Sequence, residues 1–207
     1  MNVVRRMMVL LFAAGAMASC GEGYDKLDQD RKTIETFLNG KLGEYADYDV
    51  IGNVYRYVLN ADREEYAQER VAEKGDVVEF YYEAYAFTSA LVLDSLNYSP
   101  SLIFATNRPR TLDFLCDQEK MGSLPAWTRN FPGEPEEPVR PEDPVEARVG
   151  STELVKGVKL GLPGARQGDQ MWLIFASDLG FGEKELGTVP KNQILAYRIY
   201  MEKVTKR

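Results

Sequence analysis

The sequence contains no histidine. That removes the one side chain whose unperturbed pKa lies near neutrality and the commonest metal ligand, so no Ser-His-Asp triad, Cys-His pair or HExxH zinc site can be built from it. Cysteine is almost absent: Cys20 and Cys116 are too few for a disulfide framework or a thiolate zinc cage. No metal and no cofactor is expected. Positive charge is in deficit, with 25 Lys and Arg against 32 Asp and Glu and a formal net charge of -7. Such a chain repels a phosphate backbone, which argues against nucleic acid as a partner. What remains is 207 residues, 44% hydrophobic and 11% aromatic, enough for one well-packed domain or two small ones.

The first twenty residues, MNVVRRMMVLLFAAGAMASC, place Arg5 and Arg6 before an apolar run from Met7 to Ala18 and then small residues ending in cysteine. This is the pattern of a secretory signal. The run falls short of the roughly twenty residues that a membrane-spanning helix needs. Cys20, directly after Met17-Ala18-Ser19, resembles the lipobox cysteine of bacterial lipoproteins, with Met17 in place of the usual Leu. The resemblance implies cleavage after residue 19, acylation of Cys20 and a lipid anchor in an envelope membrane, where several chains on one residue give stable attachment. Loss of residues 1–19 removes Arg5 and Arg6, so the mature body is more acidic and held by lipid, not by anionic headgroups. Cys116, flanked by Leu112, Phe114 and Leu115, then reads as a buried free thiol.

Beyond a Gly-rich and acidic linker, Leu27, Ile34, Phe37 and Leu38 fall near helical spacing and predict a helix over 26–39, stopped at Asn39-Gly40. Residues 50–59 are rich in Val, Ile and Tyr and read as strand. Residues 63–74 are charged and read as a short surface helix or a loop. From Asp76 the text Val-Val-Glu-Phe-Tyr-Tyr-Glu-Ala-Tyr-Ala-Phe, after the turn Lys74-Gly75-Asp76, predicts a core strand. Met171 to Ala176 and Ile194 to Val204 predict two more, so the chain reads as an antiparallel sheet with little helix. Pro132, Pro135, Pro138, Pro141 and Pro144 recur every third residue, the pitch of a polyproline II helix. With Glu134, Glu136, Glu137, Glu142 and Asp143 interleaved, the stretch is read as a stiff solvated spacer, not a ligand for a proline-binding groove.

Residues 144–204 resemble the second half of an FKBP-type peptidyl-prolyl cis-trans isomerase domain. The correspondence runs through Val149-Gly150, Glu153-Leu154-Val155, Gly157 to Gly161, Asp178-Leu179-Gly180-Phe181-Gly182, Val189-Pro190 and Leu195-Ala196-Tyr197. Upstream, Gly75-Asp76 with Tyr81-Tyr82-Glu83-Ala84, and Ile103-Phe104-Ala105-Thr106-Asn107, are similar to the first core strand and the following segment of that family. The resemblance implies an α+β fold: a bent antiparallel sheet wrapped around a short helix near 155–161, with an N-terminal helical extension. It divides the chain into a signal peptide over 1–19, a linker, helix and extension over 20–60, and an FKBP-like domain over 61–207 with a Pro-rich insertion at 108–143.

The same resemblance implies a substrate-binding set of Tyr82, Phe104, Val155, Val158, Phe181, Val189 and Tyr197, with no residue assigned to proton transfer. Several positions depart from the family pattern. Phe181 replaces a tyrosine that donates to a bound carbonyl, Val158 a floor tryptophan, Val145 a phenylalanine and Ala105 an aspartate. Core packing is the competing reading for Tyr82, Val155 and Tyr197 on inward strand positions. Asp178 and Glu183 read as solvated loop charges, not an acid/base pair, since no apolar pocket surrounds them. The expected function is an envelope-anchored prolyl isomerase or folding helper for secreted proteins, of reduced activity. The alternative is a non-catalytic FKBP-like module that binds a protein or peptide of an envelope assembly, with Leu112, Phe114, Leu115, Trp127 and Phe131 of the insertion as contact surface. A structural lipoprotein without a ligand is the third reading. The partners implied are a proline-containing polypeptide or envelope protein and, through the anchor, a membrane.

Overall fold

A computed structural model describes residues 26–43, 47–93, 102–111, 143–187 and 189–207. The signal segment, Cys20, Cys116 and nearly all of the Pro-rich stretch lie outside the described residues. The first element is a helix, α1, over 26–42. Asp30, Ile34, Phe37 and Leu38 are its buried positions, one face of a 3.6-residue period. It passes through Gly40 and ends three residues later than the predicted stop. The turn-former that ends it is Gly43, at φ 85, whose N–H bonds the Asn39 carbonyl at 3.0 Å.

Seven strands follow, all paired antiparallel in one sheet: β1 Asp49–Ile51, β2 Val54–Val58, β3 Val77–Ala86, β4 Ile103–Thr106, β5 Val145–Arg148, β6 Gln170–Phe175 and β7 Leu195–Thr205. The order across the sheet is β1-β2-β6-β7-β3-β4, with β5 beside the first half of β3. β1 and β2 form a hairpin through Gly52 and Asn53, both at positive φ, the backbone that a two-residue turn matched to strand twist requires. β2 then pairs along its length with β6, so residues 49–58 share one sheet with the domain expected over 61–207. The charged segment 63–74 contains only a 3₁₀ turn at Tyr66–Gln68.

One helix, α2, Lys156–Gly161, packs on the front of this sheet. It comes unusually close because it lacks side chains where it meets β6: a Cβ at Gly157 would lie 2.4 Å from the Phe175 ring, and one at Gly161 2.7 Å from Leu173. Arg56 of β2 holds the far end of α2, donating from Nη1 to the carbonyls of Gly161 and Pro163 at 3.3 and 2.7 Å, a cation at the negative end of a helix.

Alternation along the strands sends apolar side chains to both faces. Val78, Phe80 and Ala84 of β3, Leu173 and Phe175 of β6 and Leu195 and Ile199 of β7 meet α2 on the front. Tyr85, Trp172, Ile174 and Ala196 meet Ile34, Phe37 and Leu38 of α1 on the back. The period of two slips once in β7: pairing passes from Glu79↔Lys203 to Phe80↔Met201. Glu202 is therefore the extra residue of a bulge, and the front-facing series jumps from Met201 to Val204.

The back face also buries charge. Glu83, fully buried, accepts from Tyr85 Oη at 2.8 Å and Tyr200 Oη at 3.3 Å, from Arg108 Nη1 at 3.2 Å, and from the Thr111 hydroxyl. The Arg108 guanidinium lies 3.8 Å from the Tyr200 ring centre. A carboxylate so deep is tolerated because its oxygens are occupied by charged and hydroxyl donors.

Candidate functional site

The space between α2 and the inner side of β3, β4 and β7 is a cleft of about 510 Å³. Its floor is Val158 of α2, with Leu154 and Val155 leading into the helix. Phe80 and Tyr82 of β3 and Tyr197 of β7 form one wall, Phe104 and Ala105 of β4 another, and Phe181, Leu186 and Gly187 overhang from the loop between β6 and β7. Aromatic rings frame it: Phe175 stacks on Tyr197 with centroids 5.7 Å apart, while Phe104 meets Phe181 and Tyr197 edge-on at 5.9 and 6.2 Å.

Six of the seven residues expected from the sequence, Tyr82, Phe104, Val155, Val158, Phe181 and Tyr197, come together here. Val189 does not. It is 1% exposed within the front core, because the turn it closes with Leu186 points valine inward and leaves Leu186 54% exposed at the lip. Asp178 and Glu183 are both exposed and neither lines the cleft. Phe80, Leu154, Leu186 and Gly187 went unread in the sequence. Phe80 was within reach, since it precedes Tyr82 by two in a strand and shares its face.

Phe104 reaches the cleft through a second bulge. Pairing between β3 and β4 runs Ala84↔Ala105 and then Tyr85↔Ile103, leaving Phe104 without an opposite residue. Ile103 joins the back core while Phe104 and Ala105 both face the cleft, the re-aiming of a side chain that bulges produce. Just beyond, Asn107 clamps the wall. Buried to 2% exposure, its Oδ1 accepts the Tyr82 N–H at 2.7 Å and its Nδ2 donates to the Asp143 carbonyl at 3.1 Å. Asn107 thus closes the two ends of the 108–143 segment against the strand that carries Tyr82.

Polar groups in the cleft are few. Glu153 is exposed at its rim. Burial raises the Tyr82 hydroxyl above the ordinary tyrosine pKa, and burial with a smaller contribution from Tyr82 does the same for Tyr197. Both phenols therefore stay protonated at neutral pH. Among the described residues no cluster of three or more Cys, Asp or Glu could hold a metal ion. The site can bind and orient an apolar segment; among the described residues that line it there is no nucleophile paired with a base.

Residues 134–202 match the family model of the FKBP-type peptidyl-prolyl cis-trans isomerases, the stretch that carries β5, α2, the floor, the overhanging loop and most of β7. Over that third of the chain the fold is FKBP-like. Solved structures with similar chains include a peptidyl-prolyl cis-trans isomerase from Pseudomonas syringae pv. tomato strain DC3000, 14% identical, TM-score 0.44, over 88% of this chain and 96% of that one. FkpA from Escherichia coli is 13% identical, TM-score 0.47, over 99% and 72%. The three FKBP domains of wheat FKBP73 are 13% identical, TM-score 0.48, over 77% and 51%. No curated protein matches the sequence.

Proposed function

We propose that this FKBP-like protein is a peptidyl-prolyl cis-trans isomerase, or a folding helper of that kind, acting on proline-containing polypeptides in its front cleft. The observation that carries the reading is the cleft itself: an open, aromatic-walled apolar space between α2 and the sheet. An Xaa-Pro bond rotates slowly because twisting it destroys amide resonance, at a barrier of about 18–20 kcal/mol. Resonance depends on charge separation in the planar amide, which apolar surroundings disfavour, so a ring held among Tyr82, Phe104, Phe181 and Tyr197 over Val158 is easier to twist. No proton has to move, which suits a chain without histidine.

Val158 leaves the floor broader than an aromatic ring would, and Phe181 offers no hydroxyl, so the activity proposed is modest. The signal-like segment and Cys20 support a place on the cell envelope, with the domain tethered by acyl chains and its clients among exported proteins. The test is a prolyl isomerisation assay on the protein with an Xaa-Pro tetrapeptide bearing a large apolar residue before proline, with Tyr82→Ala as control. Acceleration lost in the control supports the reading. No acceleration at high protein concentration overturns it.

A further inference from the structure

Any backbone segment entering the front cleft brings carbonyl oxygens out of water into a space walled by hydrocarbon and aromatic rings. An unmet carbonyl there costs about 1–3 kcal/mol, so a site of this kind needs a donor inside it. Phe104, Phe181, Val155, Val158, Leu154 and Leu186 have no side-chain donor, and Glu153 is a rim carboxylate. Among the lining side chains the hydroxyl donors are those of Tyr82 and Tyr197, their ring centres 6.1 Å apart; any donor from the start of α2 is a backbone N–H.

The two differ in setting. Tyr82 is partly exposed, whereas Tyr197 is 7% exposed, its ring fixed by stacking on Phe175 and by the Phe104 edge. Tyr197 Oη has no hydrogen-bond partner among the described residues, yet it is not among the sealed polar atoms of the interior. A tyrosine so deeply placed ordinarily satisfies its hydroxyl within the protein. The Tyr197 ring lines the cleft, and the hydroxyl is spent on no other described group. We propose that the Tyr197 hydroxyl is the hydrogen-bond donor that fixes a backbone carbonyl of the bound proline-containing segment. It is a catalytic residue in the sense of touching the substrate while the amide twists. Its worth comes from its pre-oriented position among apolar rings, where a bound segment displaces the water that would compete for the carbonyl. Burial, which keeps the phenol protonated, agrees with the role.

The inference rests on the isomerase reading, and Tyr197→Phe separates the two. The variant keeps the ring and both ring contacts and deletes only the hydroxyl. With the full chain and the tetrapeptide assay, the expected result is a fall in kcat/KM of about tenfold with an unchanged melting temperature, since the hydroxyl has no hydrogen-bond partner among the described residues. Wild-type kcat/KM in the variant overturns the Tyr197 assignment and leaves the isomerase reading standing. So does a melting temperature lowered by several degrees, the mark of a structural hydroxyl. If the wild-type protein does not accelerate isomerisation, the isomerase reading falls and titration of the same peptide decides the hydroxyl. About tenfold weaker binding by Tyr197→Phe supports it; equal affinity, or no binding by either protein, overturns it.

Discussion

Gly157 stands against Phe175 with no room for a side chain: a Cβ at this position would fall 2.4 Å from the ring. Phe175 in turn stacks on Tyr197, so the approach of α2 sets both the floor of the cleft and one of its walls. Gly157→Ala forces the helix off the sheet or the ring out of its stack. Overpacking of this kind costs about 1–3 kcal/mol. The expected outcome is a lower urea midpoint together with a larger loss of peptide binding than the stability loss explains. A variant as stable as wild type shows that α2 can shift freely.

Asn107 carries two hydrogen bonds that no apolar residue can replace. Asn107→Ala leaves the Tyr82 N–H and the Asp143 carbonyl to find new partners, at about 1–3 kcal/mol for a buried group left unpaired. Because one of the two lies under Tyr82, KM for a peptide substrate should rise alongside the fall in thermal stability. Destabilisation with KM unaffected limits Asn107 to a clasp for the 108–143 segment.

Leu186 is a large apolar residue left 54% exposed beside an apolar cleft. Replacing it by serine removes nothing from the core, so the melting temperature should hold. A ligand residue that packs on it would lose several-fold in affinity, seen as a raised KM with kcat little changed. An unchanged KM across substrates of different size would place the binding surface wholly inside the cleft.

Asp76 accepts hydrogen bonds from the Glu73 N–H at 2.9 Å, Lys206 Nζ at 3.0 Å and the Arg207 N–H at 3.3 Å. The Glu73 amide above all, then the Lys206 and Arg207 donors, hold its carboxyl below the usual 3.8 against the opposing effect of burial. A folded-state pKa below the unfolded one gives stability that is present above the unfolded value and lost as pH falls through the folded one. Asp76→Asn should therefore be less stable than wild type at neutral pH, the gap closing as pH drops below 3.8. Unfolding curves at a series of pH values check this, and a gap independent of pH contradicts it.

Cys20→Ala removes the residue on which the proposed acyl anchor depends. Fractionation of cells expressing the variant should find the protein shifted from the membrane to the soluble fraction or retained as uncleaved precursor. A wild-type distribution in the variant rules out anchoring at that residue.

The strands were legible where composition and boundaries agreed. β3 is dense in β-branched and aromatic residues after a Lys-Gly-Asp turn, and β6 and β7 are apolar runs set off by Gly and Pro. α1 was legible by its spacing, but its end was misplaced: Gly40 is tolerated inside the helix, and Gly43, at φ 85, supplies the terminating conformation. α2 could not be read from periodicity, because six residues make fewer than two turns, and only the resemblance placed it. The site was read largely through the same resemblance, and its errors are local ones. Of two apolar residues closing one tight turn, Leu186 and Val189, pattern alone cannot say which faces the core. The bulge that turns Phe104 forward depends on pairing with a strand some twenty residues away, and that information is tertiary.

The central position of β7 governs when this molecule can exist at all. β7 is the shared neighbour of β6 and β3, yet it is the last strand in chain order. Until residue 195 and those after it have left the ribosome, the β1-β2-β6 half and the β3-β4-β5 half have no common edge, and Tyr197 is missing from the cleft. The domain can therefore acquire its tertiary structure only once β7 has emerged. Until then the strands already made carry unpaired edges that must be shielded from wrong partners.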